Sequence, residues 1–313
     1  MCGGEASSLD EMKTDLYDAA PYINISTKSC PGSLTRKDPM TSLKRHPLIA
    51  FFVLAYALPW LVWGTSIAEV RGLLSFHIPQ PLAFWIGLTL ATFGVAALSG
   101  GAPAVRDLLS RMVRWRVAPI WYVAALLLPG VLSVVAIGLF LALGGTNEVG
   151  VLLSLQALLP ALLFYIFFFL LTEETAWRGF ALPRLQAKYS ALVASLILGV
   201  LWGFWHLPLV FIPGSFQATT PFIGFVLSAV ATSVIATWLF NHSQGSVLIA
   251  AIFHAATDTT IAYSNVMTGS RWLFWLFIGV QWIAALAIIF VEGAAHFARN
   301  GDLRATVYPQ EEL

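Results

Sequence analysis

The sequence predicts an all-α, polytopic membrane protein of about eight transmembrane helices enclosing a polar catalytic cavity. Three observations carry that expectation. Of 313 residues 58% are hydrophobic and only 11% charged, whereas a water-soluble chain carries about 25% charged residues. The apolar residues fall into long runs of spanning length. And the ionisable groups that interrupt those runs cluster in three places, all in the second half of the chain.

Residues 1–45 mix Ser, Thr, Asp, Lys and Pro without periodicity and read as a disordered tail. They hold the only cysteines, Cys2 and Cys30, which cannot form a zinc site alone. Cys30 lacks the apolar run that precedes a lipoprotein cysteine, and no apolar segment resembles a cleavable signal. Met40 opens MTSLKRHPLIAFF, the usual form of a bacterial membrane-protein start, so residues 1–39 are compatible with an upstream extension of the reading frame.

From there the hydropathy marks spans at roughly 47–67, 82–103, 119–143, 151–187, 190–211, 222–240, 246–264 and 272–296. These form one domain, residues 46–298, followed by a short tail, 299–313. The stretch VRDLLSRMVRWRV after the second span has arginines at 106, 111, 114 and 116 and reads as an amphipathic segment at the membrane surface. The fourth span is too long for one simple crossing. With both termini cytoplasmic, Arg71 and Arg271 lie outside and the other 15 of 17 Lys and Arg lie inside, which the positive-inside rule favours. The expected location is a bacterial cell membrane. A net charge of +1 gives no reason to expect nucleic acid as a partner.

The first polar island is LTEETAWRGF, at the end of the oily run LLPALLFYIFFFL. A charge at membrane depth costs at least ~2.5–3.5 kcal/mol at a helix centre. On a helix Glu174 and Arg178 are four apart and face each other, with Glu on the favourable side. Glu173 points about 100° away and has no sequence-local partner. A helix end with solvated charges is the plain alternative, since Arg184 and Lys188 follow.

The second island is WGFWHLPLVF, with His206 among aromatics; most such histidines are simply packed and hydrogen-bonded. Spacing adds weight here. If the two helices turn near Tyr189, Glu173 lies 16 residues before the turn and His206 lies 17 after it, so both sit ~25 Å from the turn. Gly199 and Gly203 supply the small-xxx-small spacing for close helix approach. The third island is IFHAATDTT, with His254 and Asp258 on one helical face, ~16–22 Å past a turn near Ser243. A structural His–Asp pair is the plain reading. His46, His242 and His296 fall at helix ends and are expected to be solvated.

Three polar islands at similar depth suit acid–base chemistry on water: a Glu and a His can share a water, and further donors can steady the oxyanion formed at a carbonyl. At these residues the chain resembles the CAAX-prenyl-endoprotease and bacteriocin-processing (CPBP, abortive-infection) family of intramembrane proteases. Its motifs EExxxR, FxxxH and HxxxN or HxxxD read here as Glu173-Glu174-Thr-Ala-Trp-Arg178, Trp202-Gly-Phe-Trp-His206 and His254-Ala-Ala-Thr-Asp258. The resemblance covers roughly residues 46–296. It implies endopeptidase activity on a membrane-associated peptide or protein, without a covalent intermediate and without a cofactor. Glu173 would be the general base and His206 its partner, His254 and Asp258 would form the oxyanion site, and Glu174 with Arg178 would support them. Trp202 stands where Phe is commoner and is expected only to reshape the cavity wall. Asp258 stands where Asn is commoner: an ionised Asp would repel an oxyanion, whereas one that keeps its proton could donate.

Two other readings compete. Glu173, His206 and His254 are adequate zinc ligands in kind, though no HExxH helix is present. A proton-coupled transporter or a non-catalytic immunity factor would also hold buried carboxylates and histidines. No inverted repeat or matching pair of broken helices supports transport.

Overall fold

The computed structural model describes residues 45–146 and 154–297. The expected N-terminal tail up to residue 44, including Met40, and the tail from residue 298 lie outside the described residues. Among those described there is no strand, and eight helices are long and apolar enough to cross a membrane. They are α1 (Pro47–Val70), α2 (Ala83–Met112), α3 (Pro119–Ala142), α4 (Leu155–Gln186), α5 (Ala191–Phe211), α6 (Phe222–His242), α7 (Val247–Ser264) and α8 (Arg271–Glu292). The protein is an integral, multi-pass membrane protein. The spans agree with the hydropathy except that α2 runs on to Met112 rather than 103 and α8 stops at Glu292 rather than 296. Gly293 takes φ 78° there, a left-handed value that ends the helix.

Local chemistry sets the other ends. Pro47 and Pro119 open α1 and α3, where a missing N–H costs nothing. Ser190 and Ser246 cap α5 and α7 by accepting from Val193 N and Ile249 N. Asn265, at φ 55°, closes α7. α2 bends at Gly101 (φ 65°, ψ −155°), two residues before Pro103, a backbone only glycine adopts without strain. The bend divides the amphipathic arginine stretch from the rest of α2. Its apolar residues Leu108 and Met112 are buried, while Leu109, Val113 and Trp115 are exposed. Arg111 is buried and pairs with Asp107 at 2.8 Å.

Burial ranks the helices. The most apolar stretch of α6 is 72% buried and that of α7 67%, against 11% for α4. So α6 and α7 are inner helices, and α4 presents Leu159, Leu163, Phe164 and Phe167 outward, the surface a lipid tail covers. Gly199 and Gly203 do mark a close approach, but not the expected one. A Cβ at Gly199 would lie 2.7 Å from Val230 Cα, and one at Gly203 3.1 Å from Val226 Cα. The partner is therefore α6, not α4. α1 backs α5 on its other side: Tyr56 donates to Leu201 O, Trp60 Nε1 to Trp205 O at 2.9 Å and Trp205 Nε1 to Ala55 O at 2.7 Å. Such cross-helix hydrogen bonds hold membrane helices in place where no hydrophobic force separates lipid from protein.

Near its start α5 is tied to the chain's last described residues. Ala191 N donates to Ala295 O at 2.9 Å, Leu192 N to Ala294 O at 3.1 Å, and Asn241 Nδ2 to His296 O at 2.8 Å. His242, expected to be solvated, instead stacks on Trp121 with centroids 4.6 Å apart and faces Glu292 at 3.5 Å.

Candidate active site

The site begins where α4 stops being an α-helix. Its first part ends at Leu171, Thr172 turns the chain (φ −118°, ψ −92°), and Thr175–Ala181 winds as a π-helix. Breaking a helix at membrane depth frees carbonyls that lipid cannot satisfy. Threonines cover them: Thr172 Oγ1 donates to Phe168 O at 2.7 Å, Thr175 Oγ1 to Leu170 O at 2.5 Å, and Thr89 Oγ1 of α2 to Leu171 O at 2.9 Å. The excess length of the fourth span is thus a break filled by hydroxyls. π-turns inside helices recur at functional sites.

Glu173 and Glu174 sit at this break, 2% and 1% exposed. Glu174 Oε1 accepts from Arg178 at 2.8 Å, as the four-residue spacing predicted, and also from His254 Nδ1 at 2.8 Å. The second contact changes the reading of His254. Its close partner is Glu174 of α4, while Asp258 Oδ1 lies 3.9 Å from Nε2, beyond a hydrogen bond. The imidazole also lies flat on Phe169, centroids 3.6 Å apart and 2° from parallel. Since Glu174 is paired with a guanidinium, the Nδ1–H donates to a carboxylate, and Nε2 is the edge left toward Asp258. Asp258 itself is 42% exposed in its side chain, unlike the four buried ionisable groups around it.

Glu173 was expected to lack a local partner and to lie level with His206. The first expectation is corrected for Glu173. Its Oε2 accepts from Trp177 Nε1, four residues on, at 3.3 Å, and from Trp202 Nε1 of α5 at 2.6 Å. No direct hydrogen bond joins Glu173 and His206. The depth argument assumed an unbroken α-helix, but a π-turn closes i→i+5 bonds and advances less per residue. Glu173 meets Trp202, one turn earlier on α5 than His206.

His206 is buried and its Nδ1 bonds Trp202 O at 2.9 Å. A carbonyl only accepts, so Nδ1 carries the hydrogen and Nε2 is an acceptor in the neutral ring. Trp202 is the residue around which everything gathers. Its ring lies 4.7 Å from the Arg178 guanidinium, 5.1 Å from His254 and 6.4 Å from His206. Reading it as a wall residue missed the N–H. The available signal was that a buried indole needs an acceptor. Trp177 and Phe169 were missed as well, although both stand four residues from Glu173 and so share its helical face.

Among the described residues no three His, Cys, Asp or Glu side chains converge closely enough to hold a metal ion. Each imidazole keeps Nε2, and Glu173 keeps Oε1, outside these hydrogen bonds, a pattern also found in metal ligands; what does not fit a zinc site is their separation.

The fold and site together define an all-α membrane protein with acid, base and cation buried at the junction of three helices. Residues 155–260, the segment that carries all three motifs, match the family of type II CAAX prenyl endopeptidases, Rce1-like. The chain is also 30% identical over 135 residues to CAAX prenyl protease 2 of Methanococcus maripaludis, a match covering 41% of this chain and 49% of the relative. The matched part thus spans about half the length of that curated relative. The resemblance drawn from the motifs is borne out.

Proposed function

We propose that the chain is an intramembrane endopeptidase that activates water with Glu173 and His206. The observation that carries the reading is the convergence of α4, α5 and α7 on one buried cluster containing two unlike carboxylates. Glu174 is neutralised by Arg178 and holds His254. Glu173 receives only neutral donors, so its charge is not spent on an ion pair.

In this mechanism a water donates one hydrogen to Glu173 Oε1 and the other to His206 Nε2, which leaves its lone pairs for the scissile carbonyl. Glu173 takes the proton as the C–O bond forms. His254, in its imidazolium form, donates from Nε2 to the oxyanion, and a protonated Asp258 adds a second donor. Collapse of the tetrahedral species breaks the C–N bond, and the proton on Glu173 passes to the leaving amine. The products are an acid and an amine, and no cofactor takes part.

The substrate class we favour is a membrane-associated peptide or protein, and the names of the matched family and relative point to prenylated C-termini. Both termini face the cytoplasm on the charge count, which reporter fusions at the C-terminus test. Activity is tested by incubating the purified protein with a farnesylated C-terminal peptide and its unprenylated twin. Comparison of membrane proteomes with and without Glu173→Ala then reveals natural cleavage ends. Cleavage that survives exhaustive chelation supports the metal-free site; loss restored by zinc would refute it. If neither peptide is cut and no new ends arise, the protease reading fails.

A further inference from the structure

Two indole N–H groups converge on one oxygen of Glu173, from two different helices. We propose that Trp177 and Trp202 form a clamp that immobilises Glu173 through Oε2 and so assigns Oε1 as the oxygen that works on water. The inference rests on the hydrolytic reading for its purpose but not for its existence.

Three properties of the residues carry it. Indole nitrogen is a donor only, so the direction of both bonds is fixed: the tryptophans give and the carboxylate accepts. Neither donor is charged, so the clamp orients Glu173 without neutralising it, in contrast to what Arg178 does for Glu174. And both rings are held. Trp177 is fully buried against Phe51 and Trp205, at centroid distances of 5.8 and 5.9 Å. Trp202 is wedged between Arg178 and His254. A carboxylate whose one oxygen is gripped from two sides presents the other in a fixed direction, and orientation of a base is worth much of its effect.

Trp202 also acts through its backbone. Its carbonyl takes the Nδ1 hydrogen of His206, which leaves Nε2 as that ring's acceptor. One residue thereby aims both acceptors of the water. This makes Trp202 a positioning residue rather than wall, and a phenyl ring at that place would keep the carbonyl but not the N–H that grips Glu173.

The test compares Trp202→Phe, Trp177→Phe and replacement of Trp202 by its benzothiophene analogue, which keeps the indole shape and lacks the N–H. Two readouts are taken. The first is ultraviolet resonance Raman of the indole N–H band, which needs no turnover. Glu173→Ala in the wild-type background should weaken hydrogen bonding at two of the twelve tryptophans, and in the Trp202→Phe background at one. The second is steady-state cleavage. The Trp202 replacements should lower kcat by at least ~10-fold with KM within about twofold, as expected for a group that orients rather than binds. Trp177→Phe, which removes the longer bond, should lower it less. A Raman spectrum unchanged by Glu173→Ala would overturn the clamp whatever the kinetics. A benzothiophene protein that turns over like the wild type would overturn its positioning role. A wild type that cleaves nothing would count against the hydrolytic reading alone, because the spectrum still decides the clamp.

Discussion

Glu173 and Glu174 are adjacent, equally buried and chemically identical, yet one side of the cluster is built from indoles and the other from cations. On the cation side one carboxylate oxygen takes both contacts: Glu174 Oε1 closes Arg178 and holds a histidine from α7. On the indole side a carboxylate is held but not discharged. The difference shows how one dipeptide at a helix break can supply a strut and, in the proposed mechanism, a base. It arises from the 100° between successive residues on a helix, which sends the two side chains to different neighbours.

The strongest way to break this comparison is to exchange the roles. Glu173→Gln keeps an acceptor for both indoles but cannot take a proton. Peptide cleavage should fall by ~10³-fold or more, with the unfolding temperature in detergent nearly unchanged. Loss of folding instead of activity would show that Glu173 is structural.

Glu174→Gln should do the reverse and strand Arg178 with no counter-charge, a loss of about 3–5 kcal/mol in stability. The companion double variant, Glu174→Leu with Arg178→Leu, should recover part of that stability, because a buried pair removed whole costs less than one broken. Denaturant titration of the three proteins checks the order. If Glu174→Gln is stable but inactive, the assignment of strut and base is inverted.

Asp258 sharpens the comparison, since it lies at the more open edge of the cation side. Asp258→Ala removes a proposed oxyanion donor and should cost roughly 10²–10³ in rate. Asp258→Asn supplies a permanent donor of the same shape and should stay active, with activity extending to higher pH than in the wild type. Parallel pH–rate profiles decide. An Asn protein as inactive as the Ala protein would mean the charge on Asp258 orients His254 and does not face the substrate.

The smallest effect is expected on the face of α5 that meets α6. Gly199→Ala sets a methyl 2.7 Å from Val230 Cα and should destabilise the α5–α6 contact by about 1–3 kcal/mol. Gly203→Ala, at 3.1 Å, should cost less. Both should leave KM alone while the fold persists, which thermal melts and kinetics together show.

The eight spans were legible because hydropathy at spanning length has few other meanings, and the Glu174–Arg178 pair because helical spacing fixes it. What lay outside the reach of local pattern was anything decided by the break in α4. There Glu173 takes its hydrogen bond from Trp202 and not from His206, and an argument from ~1.5 Å per residue could not foresee it. The His254–Glu174 bond joins residues 80 apart in the chain, so the nearer Asp258 took its place in the sequence reading. Gly199 and Gly203 announced a close neighbour but carried no label for which helix it was.

The tie between the start of α5 and residues 294 and 295 bears on when the enzyme comes into being. The helix that carries Trp202 and His206 finds acceptors for its first two amide hydrogens only in the chain that follows α8. During synthesis those carbonyls leave the ribosome after every one of the eight spans. A partly made chain, with α4 to α7 already inserted, still lacks the fastening at the foot of α5. The helix that carries Trp202 and His206 is therefore fastened at its foot only after all eight spans have been made.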